Sequence, residues 1–301
     1  MIILDRTPKP GRRNTSFSAS AAPGGVRKDA RKAIEDELLN PMIIDVTGQL
    51  TNILSGGPAA AESILSSLLE RWRGVFEVQG PGIASRWARD VNGITKDRFE
   101  SGLTRALGVN RAEIIDGEGI AESVRLAGGG ASRLITDMSG EYMDNIFQAV
   151  LRNFRQEPQP EGRTFIQQIQ ESAKISRERA VLIARDQTAK MNSEFNQARM
   201  IENGVEEYTW RTAGGIRVAG NPAGLYPNAK DDDPMHGNHW KRNGKKFRLD
   251  SPPPDGHPGM PILCRCRMDP HVNMNRVFEK GNVAVSNYRP RLNMAHYARA
   301  S

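Results

Sequence analysis

The chain has 301 residues and a net charge of +7, with 38% hydrophobic and 6% aromatic residues. This length allows two domains, and the modest hydrophobic fraction predicts that part of the chain is extended or depends on a partner. No apolar run approaches the roughly 18 residues that span a bilayer, and the run at the start is too short for a signal peptide. We therefore expect a protein made in the cytoplasm, with no membrane association. Two cysteines are too few for a disulfide framework.

Basic residues concentrate at the two ends of the chain. Residues 1–32 carry eight Lys or Arg against two Asp, and residues 267–301 carry six Lys or Arg against two acidic residues. Because residues 1–32 are also rich in Pro, Gly and Ser, we predict a flexible basic N-terminal arm there and a basic C-terminal tail over 271–301. Such segments suit nucleic acid or an acidic protein surface, the alternative being a solvated tail. The candidate contact residues are Arg6, Lys9, Arg12, Arg13, Arg27 and Lys28.

Apolar residues at three- and four-residue spacing predict a helical domain over residues 33–156. Its first helix, in RKAIEDELLNPMI, is expected to stop or kink at Pro41. A later helix is expected to end at Gly108, and the segment EPQPEG at 157–162 breaks the pattern. The remaining predicted helices cover residues 58–79, 85–107 and 127–156.

The most regular helical pattern runs from about Ser176 to Asn203. Ser176 is predicted as its N-cap and Gly204 as its terminator. One face of this helix is small and partly polar, so it is expected to pack within an α-hairpin or against a partner. That face consists of Ala180, Ala184, Gln187, Met191, Glu194, Ala198 and Ile201.

The pattern changes after Gly204 into short strands separated by Gly-, Asn-, Pro- and Asp-rich loops. Strands are predicted in VEEYTWRT, KKFRLDSP and PILCRCRMDP. The predicted fold class is therefore α+β: a mainly helical N-terminal region with a long helix that leads into a small loop-rich β module containing Cys and His. On a strand, Cys264 and Cys266 would point to opposite faces, which disfavours a disulfide between them.

Histidines and both cysteines cluster within this module, which has few large apolar side chains and would gain from a cross-link. Two imidazoles and two thiolates can form a tetrahedral zinc site that stabilises the surrounding loops. The candidate structural ligands are His239, His257, Cys264 and Cys266, whereas His236 and His271 are further histidines of the cluster. The alternative is a reduced, packed cysteine pair at the end of a strand.

Catalytic motifs are sparse. The segment MHGNHWKRNGK resembles the His-Asn-His element of metal-dependent nucleases, which keeps a nuclease or toxin-like enzyme as an alternative function. Such nucleases need a helix after the histidine, and the sequence predicts none there. The chain contains no G-x-S-x-G nucleophile turn, no phosphate-binding G-x-x-x-x-G-K-[ST] loop and no G-x-G-x-x-G dinucleotide motif. We therefore predict no catalytic residues.

The order of motifs over residues 176–270 resembles the phage head morphogenesis family of Mu F-like minor head proteins. In that family a helix carrying ARDQT precedes a G-V-x-x-Y-x-W-x-T strand, an arginine, an H-x-x-x-x-G-K element and an H-P-G-x-x-x-x-C-R-C ending. The matching residues are Ala184, Arg185, Asp186, Gln187 and Thr188; Gly204, Val205, Tyr208, Trp210 and Thr212; Arg217, His239, Gly244 and Lys245; and Pro253, His257, Pro258, Gly259, Cys264, Arg265 and Cys266.

The resemblance covers about a third of the chain. It implies a head-morphogenesis module over 163–270 and a helical domain over 33–156 that docks on the portal or capsid. The implied protein is a minor structural component of a tailed-phage head, found in the virion and, during assembly, in the host cytoplasm. Its implied partners are the portal protein, the major capsid or scaffolding protein, and packaged double-stranded DNA contacted without sequence specificity. A host DNA-binding protein that uses the basic ends is a third interpretation.

Two features depart from the family pattern. The aspartate that the family carries between its Trp-x-Thr strand and its arginine is absent from AGGIRV. A long insertion also separates Arg217 from His239. Both departures affect a catalytic interpretation more than a structural one.

Overall fold

The computed structural model describes residues 1–18, 21–214, 218, 220 and 238–285. The predicted α+β class is confirmed, with a helical region followed by a small strand-containing part. The helices are α1 Gly24–Ala33, α2 Asn40–Gly48, α3 Leu50–Ser55, α4 Gly57–Leu107, α5 Glu118–Phe154, α6 Phe165–Glu202, α7 His239–Arg242 and α8 Met274–Glu279. The strands are β1 Ile2–Leu4, β2 Asn14–Ser16, β3 Ala112–Ile114, β4 Glu207–Arg211, β5 Lys246–Arg248, β6 Arg267–Asn273 and β7 Val283–Val285.

Three long helices form the body of the protein. At 1.5 Å per residue, the 51 residues of α4 extend about 77 Å, and α5 and α6, with 37 and 38 residues, extend about 56 Å each. Helix α5 runs antiparallel to α4, since Gly80 lies against Ile135 and Ser85 lies against Gly128. Helix α6 runs parallel to α4, since Trp87 contacts Thr188 and Thr95 contacts Arg199. Helices α1 and α2 pack along this bundle, and their apolar residues join its core. None of the described helices is long and apolar enough to cross a membrane.

Several predicted helix boundaries are wrong. The two helices predicted over 58–79 and 85–107 are one continuous α4 that includes Pro81 and ends, as predicted, at the left-handed Gly108. The chain also remains helical through Pro41, which is the second residue of α2 and comes shortly after a π-helical turn at Ile34–Leu39. The first turn of a helix is where the missing N–H of proline costs least.

Helix α6 begins eleven residues before the predicted N-cap, Ser176. Thr164 caps it instead: the Thr164 side chain accepts from the Gln167 N–H while the Gln167 side chain accepts from the Thr164 N–H. This reciprocal arrangement satisfies two of the free donors at a helix start. Ser176 lies inside the helix, where its hydroxyl donates to the Ser172 carbonyl.

The N-terminal segment is not the flexible arm that was predicted. Strand β1 lies in the centre of a three-stranded sheet, antiparallel to β3 and parallel to β7. Ile2 and Leu4 are fully buried, and residues 24–32 belong to α1. The strand was missed because its partner strands lie more than 100 residues away in sequence, so nothing local predicts them.

Two arginines of the same segment make structural contacts. Arg6 donates to the Gly108 carbonyl at 2.6 Å, and Arg12 donates to the Arg105 carbonyl at 3.4 Å. Cations at a helix C-terminus are favoured by the free carbonyls and the helix dipole, so these side chains tie the N-terminal segment to the end of α4. Lys9 and Lys28 remain exposed.

Replacement of Leu4 by Ala is expected to destabilise the fold by about 2–5 kcal/mol, because it removes a fully buried side chain from the sheet. Ile3 points to the other face of the same strand and is half-buried. Ile3→Ala is therefore the matched control and should cost less. Urea denaturation followed by circular dichroism measures both; equal midpoints for Leu4→Ala and the wild type would show that residues 1–4 are a dispensable arm.

The small module contains a second sheet with the strand order β2-β6-β4-β5, all antiparallel. Its core is separate from the main helical core but includes the C-terminal parts of α4 and α6, through Leu103, Leu107 and Met200. The predicted C-terminal tail is wrong for residues 271–285, which complete β6 and form α8 and β7. Residues 286–301 lie outside the described part of the chain.

Candidate metal centre

The structure brings His239, Cys264 and Cys266 together. His239 begins the short helix α7, whose first turn is capped by the Asn238 side chain, which accepts from the Lys241 N–H. The sequence predicted no helix here. The two cysteines precede β6 rather than lying on it, so the prediction that they face opposite sides is wrong. Both sulfurs approach one imidazole nitrogen.

The distances fit a zinc ion. Nδ1 of His239 lies 3.6 Å from the sulfur of Cys264 and 3.6 Å from that of Cys266. A tetrahedral zinc with bonds of about 2.3 Å to sulfur and 2.0–2.1 Å to nitrogen would hold those atoms roughly 3.5–3.6 Å apart. All three side chains are buried. The residues therefore form a cluster that could hold a metal ion, with three ligands from the described part of the chain.

Asp255 orients the histidine from its other side. Its carboxylate lies 2.8 Å from His239 Nε2 and accepts a second hydrogen bond from Arg242 at 2.5 Å. Burial alone would lower the pKa of His239, but the bonds to Asp255 and Cys264 raise this pKa to about 9. A carboxylate on the far nitrogen of a ligating histidine fixes the ring and its tautomer. The Trp210 ring, 5.0 Å from the imidazole between centroids, packs against the same histidine.

Backbone N–H groups favour a thiolate at Cys264. The sulfur of Cys264 accepts from the N–H of Gly259 and from the N–H of Cys266, each at 3.4 Å. The hydrogen bond from the Cys266 thiol, together with the bond to His239, holds the pKa of Cys264 well below its usual range despite burial. Since the thiolate is the form that binds metal, this arrangement suits a ligand.

His257, predicted as the fourth ligand, is not part of the cluster. Its Nδ1 lies 3.0 Å from the Tyr208 hydroxyl, and the two rings pack edge to face. Burial lowers the pKa of His257, which favours a neutral ring. Its place in the HPG segment is structural, so the four-ligand prediction is wrong at this position. His271 is half-buried on β6, and His236 lies outside the described residues.

Helix α6 supports the turn that carries the cysteines. Asp186 accepts from the N–H of Leu263 at 2.7 Å. Leu263 has the positive φ of 56° that few non-glycine residues adopt, so this bond holds a strained residue directly before Cys264. The Ser193 hydroxyl donates to the Pro258 carbonyl at 2.6 Å. Gly259 lies so close to α6 that a Cβ there would come 3.0 Å from Cβ of Ser193.

The other residues that carry the family resemblance lie around this site or beneath it. Ala184 and Thr188 are buried, and Thr188 accepts from the Trp87 indole N–H at 3.2 Å. Gly244 has a φ of 81° and donates to the Trp210 carbonyl, closing the turn after α7. Arg185 and Gln187 are half-buried. Arg217 lies outside the described residues.

Comparisons with known proteins give little further guidance. No model of a known protein family matches the chain, and no solved structure matches it. A protein of Haemophilus influenzae (strain ATCC 51907 / DSM 11121 / KW20 / Rd), described as uncharacterized, is 29% identical over 168 residues. The match covers 56% of this chain and 33% of that protein. The chain therefore matches about a third of that relative's length.

Asp255→Asn is expected to weaken metal binding by roughly 10–100-fold, because it removes the charge that orients His239. The matched control is Asp250→Asn, which neutralises an exposed carboxylate of the same module that pairs with Arg248. Competition with a chromogenic zinc chelator measures both affinities. Equal affinities for Asp255→Asn and Asp250→Asn would exclude an orienting role for Asp255.

Proposed function

We propose that this chain is a minor structural protein of a tailed-phage head, located at the portal vertex or in the procapsid interior. It would assist head assembly and the packaging or delivery of DNA. The observation that carries the proposal is the convergence of the family-like motifs. Asp186 of the ARDQT segment, Tyr208 and Trp210 of the strand, His239, and the HPG and CRC residues all contribute to one small module.

The module's part in this function is structural. Its ligand cluster joins α7 to the turn before β6. The Asp186 carboxylate accepts a hydrogen bond from that turn and the Ser193 hydroxyl donates one to it, and both bonds fasten the turn to α6. We propose that the metal is zinc, since one imidazole and two thiolates are a ligand set that zinc prefers. A zinc ion would cross-link loops that have few large apolar side chains to hold them. The long helices would then be the surface that docks on the portal or the capsid.

The partners that follow from the proposal are the portal protein and the major capsid or scaffolding protein. Packaged double-stranded DNA is a third, contacted through phosphates without sequence specificity. Co-expression with a portal protein and a major capsid protein from the same genome tests this. The chain is expected to co-sediment with the portal or with assembled heads. Its absence from both fractions, together with wild-type head yield when its gene is deleted, would contradict the proposal.

The alternative is a metal-dependent nuclease or toxin-like enzyme. One observation favours it: the described residues supply three ligands, which is the usual number of protein ligands in catalytic zinc sites. Plasmid DNA incubated with the protein and Zn²⁺, Mg²⁺, Mn²⁺ or Ni²⁺ would be cleaved by such an enzyme, and His239→Ala would abolish the cleavage. Intact plasmid under all four metals would exclude it.

A further inference from the structure

A cavity beside the candidate metal centre gathers arginines from three separate parts of the chain. It has a volume of about 70 Å³. Arg27 of α1, Arg185 of α6 and Arg265 between the two cysteines all line it, and Cys266 forms part of the same wall. None of the described residues that line it is acidic. We propose that this cavity binds one phosphate group.

Asn192 adds an amide to the wall of the cavity and is only 5% exposed. Its NH₂ group can donate to a phosphate oxygen.

The start of α1 contributes a third favourable element. Ala21, Ala22 and Pro23 line the cavity directly before the helix begins at Gly24. No side chain caps this helix start, and its first turn contains no acidic residue. The free N–H groups of a helix N-terminus attract anions. Arg98 of α4 donates to the Ala21 carbonyl at 2.8 Å and so fixes this segment beside the cavity.

The size and donors of the cavity select the ligand. Arginine forks match the oxygens of a phosphate in a bidentate geometry. The volume is several times the roughly 10–15 Å³ that one water molecule needs, so a phosphate group fits whereas a whole nucleoside does not. The phosphate is either a diester of a nucleic-acid backbone or a free phosphate ion. The inference does not depend on the proposed head function or on zinc.

Calorimetric titration of the full chain with inorganic phosphate tests the inference. Saturable binding is expected, and Arg265→Ala should weaken it by about tenfold or more, because each charge-assisted hydrogen bond is worth about that factor. Arg265 is exposed, so the variant should fold, which circular dichroism checks. Arg27→Ala is a second variant from a different element. The control is Arg73→Ala, an equal charge change on an exposed residue of α4. Arg73 lies about 21 Å along that helix from Trp87, which contacts Thr188 in the wall of the cavity.

The two titrations distinguish whether the cavity binds phosphate at all and whether that phosphate belongs to DNA. No saturable phosphate binding, or equal weakening in Arg265→Ala and Arg73→Ala, would overturn the inference. A second titration with a 20-base-pair DNA duplex identifies the source of the phosphate. If the phosphate belongs to DNA, Arg265→Ala lowers duplex affinity and reduces its log-log salt slope by about 0.9. If only inorganic phosphate binding falls, the cavity takes a free phosphate ion.

Discussion

Protein purified without chelators is expected to contain about one zinc per chain, and Cys264→Ser is expected to contain none. Serine cannot supply the thiolate, and the sulfur of Cys264 is the one that two backbone N–H groups favour in its charged form. Loss of the metal also removes its binding free energy from the folded state. The thermal midpoint of the variant should therefore fall, and addition of a strong chelator should lower that of the wild type in the same way.

His257→Gln is the informative control for this experiment. The sequence pattern places His257 in a four-ligand set, whereas the structure pairs it with the Tyr208 hydroxyl. The structure therefore predicts that His257→Gln keeps its zinc while Cys264→Ser loses it. Elemental analysis of the two variants decides. Zinc loss in His257→Gln would support the four-ligand set, and absence of zinc from the wild type would exclude the proposed metal.

The sequence predicts helices well where the apolar spacing is regular. Gly108 and Gly204 both adopt the left-handed conformation that ends a helix, as their positions predict. Local sequence patterns do not predict an element that forms only by pairing with residues distant in the sequence. Ile2 and Leu4 form a strand only because β3 and β7 flank it. Pro81 within α4 shows the opposite case, in which packing of a long helix overrides a local helix breaker.

The candidate site could be predicted only in part, because some of its contacts also depend on residues that the fold brings together. The spacing of His and Cys residues correctly indicated His239, Cys264 and Cys266 as candidate ligands, because histidines and cysteines close together in sequence are typical of metal sites. This spacing could not distinguish a metal ligand from a packed histidine, as the contact of His257 with Tyr208 shows. It also missed Asp255, which contacts His239 only because the loop before His257 folds back onto α7. The DG pair in PPPDGHPG reads as a turn, and nothing in it indicates a second role.

No local sequence pattern indicates the role of Arg199, which is buried and joins several elements of the fold. It lies on α6 with no exposed surface. Its guanidinium donates to Asp116 at 3.2 Å, to Thr95 Oγ1 at 2.9 Å and to the Asn92 carbonyl at 3.1 Å. One side chain thus joins α6 to α4 and to the segment that leads into α5. It lies where the helical bundle meets the small module.

Arg199→Met is expected to destabilise the protein by about 3–5 kcal/mol, because breaking a buried ion pair by removing one partner leaves the other groups without compensation. The cost should lie near the lower end, since Asp116 is 20% exposed and also lies 3.8 Å from Lys96. Arg125→Met is the matched control on a surface pair with Glu122, and solvent-exposed pairs of this kind contribute little to stability. Urea denaturation followed by the helical signal measures both.

A double variant separates the ion pair from the packing of the arginine stem. If the charge pair dominates, Arg199→Met combined with Asp116→Asn should cost less than the sum of the single variants, because Asp116→Asn removes the carboxylate that has lost its arginine. Additive costs would assign the effect to lost packing and to the bonds with Asn92 and Thr95. A midpoint for Arg199→Met no lower than that for Arg125→Met would mean that the buried network does not hold α4 and α6 together.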